Sequence, residues 1–267
     1  MARRWCLPVM ILAALAGPVL AAAPASALSA RGAGVAYPVR PGTPMRPAGL
    51  AALADHRRSR RTVSRNWSGY AAAGGRGAFR SVSASWTEPA ARCTSAGSVR
   101  YASFWVGLDG YSSRSVEQTG TDADCDGRAA RYYGWYEMYP ALPVRFRTTV
   151  RPGDRLSASV TFSGAKTYTL VLRDRTRGWQ HIIIASRAGL DRSSAEVITE
   201  APSSRNGVVP LADFGTLRFT AARANGTSLR RLSPVKIIMA DRKGRRKDTT
   251  SALSRAGAFH ATWLRSS

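Results

Sequence analysis

The chain has 267 residues, enough for one large domain or two small ones, and its composition is that of a globular protein. Its formal net charge is +24, almost all of it from arginine, and residues 1–65 carry ten arginines against one acid. Such an excess raises the question of nucleic acid or another anionic partner. After residue 65 the arginines are scattered, and no helix-turn-helix, zinc-finger or RNA-reading motif accompanies them. We therefore predict no nucleic-acid binding and keep a basic module for an anionic polymer as an alternative.

The first 27 residues have the pattern of a secretory signal. Arg3 and Arg4 precede an apolar run from Trp5 to Ala23, which prolines interrupt, and two Ala-x-Ala cleavage sites follow. A membrane anchor is the alternative, but the run is short for a spanning helix and is broken by proline. We predict that residues 1–27 are removed and that the protein is extracellular, without stable membrane association.

Residues 28–65, which we call the leader, are rich in alanine, glycine, proline and arginine and show little periodicity. Such a segment is either a disordered linker or a removable pro-segment. Its length, its position after the signal and its basic character favour a pro-segment. We therefore place one folded domain at residues 66–267.

The cysteines predict one disulfide. Cys6 leaves with the signal, so the mature chain keeps only Cys93 and Cys125. Two cysteines in an oxidising compartment are most simply explained by a bond between them. Because there are only these two thiols and no histidine nearby, we expect no metal site.

From Asn66 onwards the sequence consists of short alternating segments separated by turn signals. The segment 81–88, for example, places Val82, Ala84 and Trp86 on one face, as in a half-buried strand. Further strands are predicted at 103–108, 116–119, 132–139, 156–162, 168–172, 181–185, 195–200, 216–221, 235–240 and 259–264. Strands at this spacing, without a long helical pattern, predict an antiparallel β-sandwich or barrel.

The segment 101–140 is rich in aromatic residues and carboxylates. In its last predicted strand, alternation places Tyr133, Trp135, Glu137 and Tyr139 on one face. A carboxylate among aromatic rings is costly unless it is hydrogen-bonded or used in chemistry. Glu137 is therefore either a satisfied acid beside the core or part of a functional site.

Several catalytic mechanisms can be set aside. The sequence has no Gly-x-Ser-x-Gly elbow, no His-Glu-x-x-His motif and no phosphate-cradling glycine-rich loop. His56 lies in the leader, His181 in an isoleucine-rich strand and His260 near the C-terminus, so a serine or cysteine nucleophile lacks a partner. Carboxylate chemistry remains, either glycoside hydrolysis or water activation. The candidate acids are Asp109, Glu117, Asp122, Asp124, Asp126, Glu137, Glu196 and Glu200.

Seven short blocks resemble the glutamic peptidase (eqolisin) family of secreted acid peptidases. They are Asn66–Tyr70 (NWSGY), Trp105–Gly110 (WVGLDG), Gln118–Asp122 (QTGTD), Trp135–Pro140 (WYEMYP), Pro152–Asp154 (PGD), Ser194–Glu200 (SAEVITE) and Ala212–Gly215 (ADFG). Each block alone is weak, but all seven stand in the family's order and cover the chain from residue 66 to the C-terminus. The resemblance implies an all-β fold, a sandwich of two large antiparallel sheets of the concanavalin-like or jelly-roll type.

The resemblance also implies a reaction. The family's catalytic pair is a glutamine and a glutamate, which fall on Gln118 and on Glu200, the second acid of its block. The glutamate is the general base that activates water, and the glutamine amide stabilises the oxyanion. This implies a monomeric endopeptidase that acts on polypeptides at acid pH and needs no metal or cofactor. We expect the substrate cleft to be lined by Trp67, Trp105, Asp109, Trp135 and Glu137.

The chain departs from the family pattern at several points. Val197 stands where the family often has an aromatic residue, and Ala201-Pro202 replaces an Asp-Phe pair after Glu200. The chain is also basic, whereas the fungal members are acidic. A non-catalytic or carbohydrate-binding sandwich with an aromatic cleft therefore stays open as an alternative. The arginines of the leader could pair with acids of the cleft near neutral pH, so we also expect the leader to act as an inhibitor.

Overall fold

The structure, a computed structural model, describes residues 60–94, 99–204 and 206–267. The predicted signal and residues 28–59 of the leader lie outside the described residues. The described chain contains a short 3-10 helix (Leu229–Leu232) and these strands: β1 (Arg61–Ser64), β2 (Trp67–Ala73), β3 (Ser81–Thr87), β4 (Val99–Arg100), β5 (Ser103–Leu108), β6 (Val116–Asp126), β7 (Ala129–Tyr139), β8 (Val144–Thr149), β9 (Arg155–Gly164), β10 (Thr167–Asp174), β11 (Trp179–Ser186), β12 (Ser194–Glu200), β13 (Ser203–Ser204), β14 (Gly207–Val208), β15 (Thr216–Ala224), β16 (Thr227–Ser228), β17 (Val235–Met239), β18 (Asp248–Thr250) and β19 (Phe259–Trp263). No helix in this part of the chain has the length and apolar character needed to cross a membrane.

Two large sheets contain almost all of these strands. The larger sheet has the order β1-β17-β2-β12-β5-β6-β7-β8, with β4 added beside β6. The smaller sheet has the order β11-β10-β9-β3-β15-β19-β18, with β16 added beside β15. The pairing is antiparallel except between β1 and β17, which run parallel. The central strands β2, β12 and β5 of the larger sheet come from distant parts of the chain, so its register is set by long-range pairing.

The larger sheet separates two apolar clusters. Tyr70, Phe104 and Val106 point to one face and join residues of the smaller sheet, such as Phe219, in the main core. The opposite face, which we call the outer face, carries a second cluster made of Trp67, Ala71, Trp105, Val116, Tyr133, Trp135, Ile198 and Ile237. Strands β5 and β12 are buried on both faces, whereas β11 at the edge of the smaller sheet alternates between half-buried and exposed positions.

The predicted sandwich of two antiparallel sheets is confirmed. Strand β5 has its predicted bounds, and β3 buries Val82, Ala84 and Trp86 as predicted. The largest difference within the domain is β6, which was predicted to end at residue 119 and continues to Asp126. Its second half is polar but buried, because its side chains find hydrogen-bond partners on neighbouring strands that the local sequence does not reveal.

The strand β1 lies in the segment assigned to the leader. It pairs with β17, and its Thr62 and Ser64 side chains are buried. The sheet therefore begins at Arg61, ahead of the predicted domain start at Asn66. The parallel partner lies far along the chain, so the arginine-rich segment gave no local signal of a strand.

Candidate active site

The strand register places the two predicted catalytic residues on the outer face. Glu200 of β12 lies opposite Ser103 of β5, and Gln118 of β6 lies opposite Gly107 of the same strand. Residues directly opposite each other in a ladder point to the same face. Because Ser103, Trp105 and Gly107 alternate onto the outer face, Gln118 and Glu200 point to it together.

Two N–H donors hold the Glu200 carboxylate. The indole Nε1 of Trp105 donates to Oε2 at 2.9 Å, and the amide Nδ2 of Asn66 donates to Oε1 at 3.4 Å. The Ser64 hydroxyl donates to Oδ1 of Asn66 at 3.0 Å, so the amide nitrogen is turned toward the acid. N–H donors of this kind stabilise and orient an ionised carboxylate.

The Trp105 ring lies between Glu200 and Gln118. While its Nε1 contacts the carboxylate, its Cζ3 edge lies above Gly107. A Cβ atom on that glycine would lie 2.9 Å from Trp105 Cζ3 and 3.2 Å from Gln118 Cβ. Glycine at 107 therefore leaves the space that the indole and the glutamine share. Gly120, opposite Trp105 on β6, serves the same purpose, since its Cβ would lie 2.5 Å from Trp105 Cβ.

Gln118 is held from its other side by Glu137. The two residues lie opposite each other on β6 and β7, and Gln118 Nε2 donates to Glu137 Oε2 at 2.8 Å. The carboxylate accepts from the amide nitrogen, so it sets the direction in which the amide points. The open question about Glu137 is thereby answered: this buried acid is hydrogen-bonded to the candidate catalytic amide.

A second acidic cluster lies on the outer face, further along β6. The Tyr133 Oη atom is 2.8 Å from Asp122 Oδ2 and 2.7 Å from Asp124 Oδ2. A phenol has one proton and can donate to one carboxylate only, so the other contact requires a protonated carboxyl that donates to the phenol oxygen. A proton on either carboxyl lets both contacts form, and we call Asp122 and Asp124 the carboxyl pair.

The environment of the carboxyl pair favours that proton. Burial raises the pKa of Asp122 to about 7. Burial and the neighbouring Asp122 charge raise the pKa of Asp124 well above its ordinary value. The Arg145 guanidinium, 4.1 Å above the Tyr133 ring, opposes both shifts in part. Trp135 belongs to this cluster, because its Nε1 donates to Asp122 Oδ1 at 2.6 Å.

Glu196 shares the outer face with Glu200 but differs in its environment. It lies opposite Gly107 and is fully buried. Burial, together with the charges of Asp109 and Glu117, raises the pKa of Glu196 well above its ordinary value. Among the described residues no side-chain N–H group donates to Glu196. The geometry therefore favours Glu200 over Glu196 as a base.

Comparison with known proteins identifies the family to which the chain belongs. The Peptidase A4 family profile matches residues 65–263, which is most of the chain. The chain belongs to the Peptidase A4 family, the glutamic peptidases. Membership confirms the resemblance that the seven sequence blocks carried.

Individual glutamic peptidases resemble this chain at moderate sequence identity. Aspergillopepsin-2 of Aspergillus niger is 29% identical over 183 residues, which are 60% of this chain and 64% of that protein. The chain therefore spans somewhat less than two thirds of this curated relative. The crystal structure of scytalido-glutamic peptidase with a transition state analog inhibitor superposes with a TM-score of 0.63 at 27% identity, covering 74% of this chain and 98% of that chain. SCP-B, an eqolisin in complex with the tripeptide Ala-Ile-His, gives a TM-score of 0.60 at 27% identity with the same coverage.

The other predicted cleft residues take separate places in this glutamic peptidase. Trp67 packs edge-on against Trp105, with ring centroids 4.8 Å apart. Asp109, in contrast, is directed at backbone: its carboxylate accepts from the amides of Arg192 at 2.7 Å and Ser193 at 2.8 Å. Asp109 therefore anchors the connection between β11 and β12. The sequence prediction had placed it in the substrate cleft.

The remaining candidate acids also lie apart from the two catalytic candidates. Glu117 alternates with Gln118 on β6 and so points to the opposite face, where burial raises its pKa well above the ordinary value. Asp126 is exposed and pairs with Arg131 at 2.9 Å. Among the described residues no group of three or more histidine, cysteine, aspartate or glutamate side chains is arranged to hold a metal ion.

The predicted disulfide is confirmed. Cys93 and Cys125 are bonded, with their Cα atoms 5.4 Å apart. The bond ties the segment after β3 to the end of β6, next to Asp124 of the carboxyl pair. Sequence reasoning missed Asn66 and Tyr133 as partners of the acids. Asn66 opens the first of the seven blocks, and Tyr133 alternates with Trp135 and Glu137, but neither pattern identifies the acid that each residue contacts.

Proposed function

We propose that this chain is an endopeptidase that hydrolyses polypeptides with Glu200 as general base and Gln118 as oxyanion donor. Family membership supports the reaction class. The observation that carries the residue assignment is the Trp105 indole, which donates to Glu200 and reaches the space beside Gln118 on the same face. One oriented acid and one oriented amide on a common face are what a water-activating peptidase needs.

Glu200 moves the proton. It takes a proton from water while the water oxygen bonds to the scissile carbonyl carbon, whose π electrons move to the carbonyl oxygen. It then returns the proton to the amide nitrogen as the C–N bond breaks, so atoms and charge balance. Because the reference pKa of a carboxyl lies near 4, Glu200 can act as a base under acid conditions in which histidine is protonated. Trp105 and Asn66 hold the carboxylate throughout.

Gln118 stabilises the oxyanion. Its amide nitrogen donates to Glu137, which orients the amide, and we assign stabilisation of the oxyanion to this oriented amide. A neutral donor stabilises the developing charge without introducing a permanent charge beside the base. Glu137 is then a positioning residue, which acts through Gln118 without touching the substrate.

The substrate class follows from the solved relatives by analogy. One relative holds a transition state analog inhibitor and another holds a tripeptide. We propose that a peptide lies across the outer face beside Trp67 and Trp105. Both rings are fully buried, so we assign them the role of supporting Glu200 from below the peptide.

We also propose that the protein is a secreted precursor whose leader inhibits it until acid exposure. The leader carries arginines, whereas the outer face carries Glu137 and Glu200. Acid protonates carboxylates and weakens such pairing, while arginine keeps its charge. The leader as defined from the sequence ends at residue 65, which would put the cut between Arg61 and Asn66. Since Thr62 and Ser64 are buried within β1 and the Arg60 carbonyl oxygen accepts from the Lys236 amide, we now place the cut before Arg60.

Digestion of an unfolded protein substrate at pH values from 3 to 7 tests the proposal. We expect cleavage that is insensitive to pepstatin, to a chelator and to a serine-protease inhibitor. The Gln118→Ala variant should lose about 10²–10³ in rate, the usual cost of one oxyanion donor. Precursor shifted from neutral pH to about pH 4 should shorten and gain activity if the leader inhibits.

Other outcomes would favour the alternatives. Chelator-sensitive or serine-inhibitor-sensitive cleavage would contradict the proposed chemistry. Carbohydrate binding that survives the Gln118→Ala change, without any proteolysis, would support a binding module. A precursor that is fully active at every pH without shortening would show that the leader is an inert linker.

A further inference from the structure

A cavity of about 340 Å³ lies at the edge of the larger sheet, on the face turned away from Gln118 and Glu200. Four of its lining side chains are cationic: Arg60, Arg61, Arg230 and Lys236. Among the residues that the structure describes, no acidic side chain lines it. A cavity with four cations and no acid is unlike the mixed charges of an ordinary protein surface.

The strand register builds this cavity. Arg61 of β1 lies opposite Lys236 of β17, and Lys236 lies opposite Tyr70 of β2, so the three side chains share one face. Tyr70 is buried in the main core, and its hydroxyl donates to the Ser251 carbonyl oxygen at 2.7 Å. The 3-10 helix brings Arg230 to the other side. The cations are thus fixed to backbone elements that the fold holds in place.

The positive charges of this cavity are not balanced within the described chain. None of the ion pairs formed among the described residues includes any of the four cations. Burial and the neighbouring charges of Arg61 and Arg246 lower the pKa of Lys236. The one acid that acts against this, Asp248, is buried and accepts a hydrogen bond from Ser68. An anion in the cavity would relieve this mutual repulsion.

We propose that this cavity binds a phosphate-bearing ligand, either a phosphate monoester or a short polyphosphate. A single carboxylate would balance only one of the four cations, whereas a phosphate group brings up to two charges and three acceptor oxygens. Arginine guanidinium groups match phosphate oxygens with paired N–H donors. The cavity is larger than one phosphate group, so there is room for a substituent or for a second phosphate.

The position of the cavity gives the ligand a structural effect. Arg60 and Arg61 stand at the start of β1, the edge strand that joins the leader to the sheet. A ligand that bridges them to Lys236 and Arg230 ties this edge strand to its neighbour β17. Binding should therefore stabilise the native protein by RT ln(1 + c/Kd), where c is the free ligand concentration, so the stabilisation keeps rising with ligand concentration. It should not compete with peptide substrates, because the outer face lies on the other side of the sheet.

Titration with orthophosphate and with tripolyphosphate, at constant ionic strength, tests the proposal. We expect saturable binding with one site per chain by calorimetry. At ten times the dissociation constant, the unfolding midpoint should rise by about 3–6 °C. The double change Arg61→Gln with Lys236→Met should weaken binding at least tenfold. The matched control is Arg155→Gln with Arg218→Gln, two exposed arginines on β9 and β15 that remove the same net charge elsewhere.

Each outcome decides the proposal. Weakened phosphate binding by the Arg61→Gln, Lys236→Met variant, with unchanged binding by the control variant, would support the site. Tighter binding of tripolyphosphate would assign it to a polyphosphate, and equal binding of both probes would assign it to a single phosphate group. Equal weakening in both double variants would show that net charge alone attracts phosphate, and the proposal would fall. Absence of saturable binding by the unaltered protein would also overturn it.

Discussion

Two acidic clusters lie on the outer face of the same strand pair, β6 and β7, and their acids have different hydrogen-bond partners. Gln118 faces Glu137, and four residues further along β6 Asp122 faces Tyr133. In the first cluster N–H groups donate to the acids, whereas in the second a phenol lies between two carboxyls, one of which also accepts from the Trp135 indole. An N–H donor can only donate, so it favours an ionised acid. A hydroxyl can donate and accept, so it can bridge an ionised acid and a protonated one.

This difference teaches how one sheet face can hold both a proton acceptor and a proton store. The first cluster, with Glu200 and Gln118, keeps its acids suited to accept a proton or a hydrogen bond. The second keeps a proton that burial makes hard to remove. The donor chemistry of the neighbours, rather than the distance along the strand, separates the two roles.

The largest expected loss of stability follows from removing the disulfide that supports the second cluster. The disulfide holds the end of β6 that carries the carboxyl pair, and it closes a sequence separation of 32 residues. Replacing both cysteines, Cys93→Ser with Cys125→Ser, should lower the free energy of unfolding by about 3–4 kcal/mol. Denaturant unfolding of the purified double variant would measure the loss. Turnover of the protein that remains folded should stay near normal, and a large loss of turnover at unchanged stability would contradict the separation of the two clusters.

The next effect comes from breaking the first cluster at its positioning residue. Glu137→Leu removes the acceptor that orients Gln118, and misplacement of a catalytic group costs about 10²-fold in rate. We expect kcat to fall by roughly this factor with little change in KM, because we propose that Glu137 acts through Gln118. Glu137→Gln keeps an acceptor oxygen of similar size and should recover a large part of the activity. Equal activity of the leucine variant and the unaltered enzyme would show that Glu137 does not position the amide.

The pH dependence of stability sharpens the comparison. Burial raises the pKa of Asp122 and of Asp248 to about 7, and it raises the pKa of Glu88, Glu117, Asp124 and Glu196 well above ordinary values. The folded state then binds more protons than the unfolded state between about pH 4 and pH 7. Stability should therefore fall as the pH rises through this window. Urea unfolding at several pH values checks this, and a rise in stability from pH 4 to pH 7 would contradict it.

A single substitution isolates the carboxyl pair within that window. Asp122→Asn replaces an acid that keeps its proton with an amide that is neutral at every pH and can still accept from Trp135. The loss of stability between pH 4 and pH 7 should shrink by roughly 4 kcal/mol, because a pKa raised from 3.8 to about 7 spans about three units at about 1.4 kcal/mol each. Peptidase activity should change little. An unchanged pH dependence would show that Asp122 does not hold a proton in the folded state.

The sequence predicted what depends on local alternation and composition. The strands that carry Trp86, Trp105 and Glu200 alternate strongly, and the two remaining cysteines had one obvious partner each. The assignment of Glu200 rather than Glu196 came from the family blocks and stays a prediction, while the structure adds the Trp105 and Asn66 donors to Glu200. These features need no knowledge of which strands become neighbours.

What the sequence could not predict depends on long-range pairing. Strand β1 is recognisable only through its parallel partner β17, so its arginine-rich sequence was read as leader. The polar half of β6 is a strand because Tyr133 and Trp135 of β7 satisfy its acids. Asp109 follows the WVGL strand directly and was expected in the cleft, but its oxygens bind the backbone of Arg192 and Ser193. In each case the interacting residue or strand is distant in sequence, and the local composition does not indicate it.

The rate of peptide hydrolysis by Glu200→Gln tests the central claim most directly. The substitution keeps the size of the side chain, and its amide oxygen can still accept from Trp105, so the fold should persist. A glutamine cannot take a proton from water under these conditions, and loss of a general base costs about 10²–10⁴ in rate. Measured at the optimal pH, with circular dichroism as a check on folding, we predict a loss of this size. A correctly folded Glu200→Gln variant that turns over within tenfold of the unaltered enzyme would contradict the account.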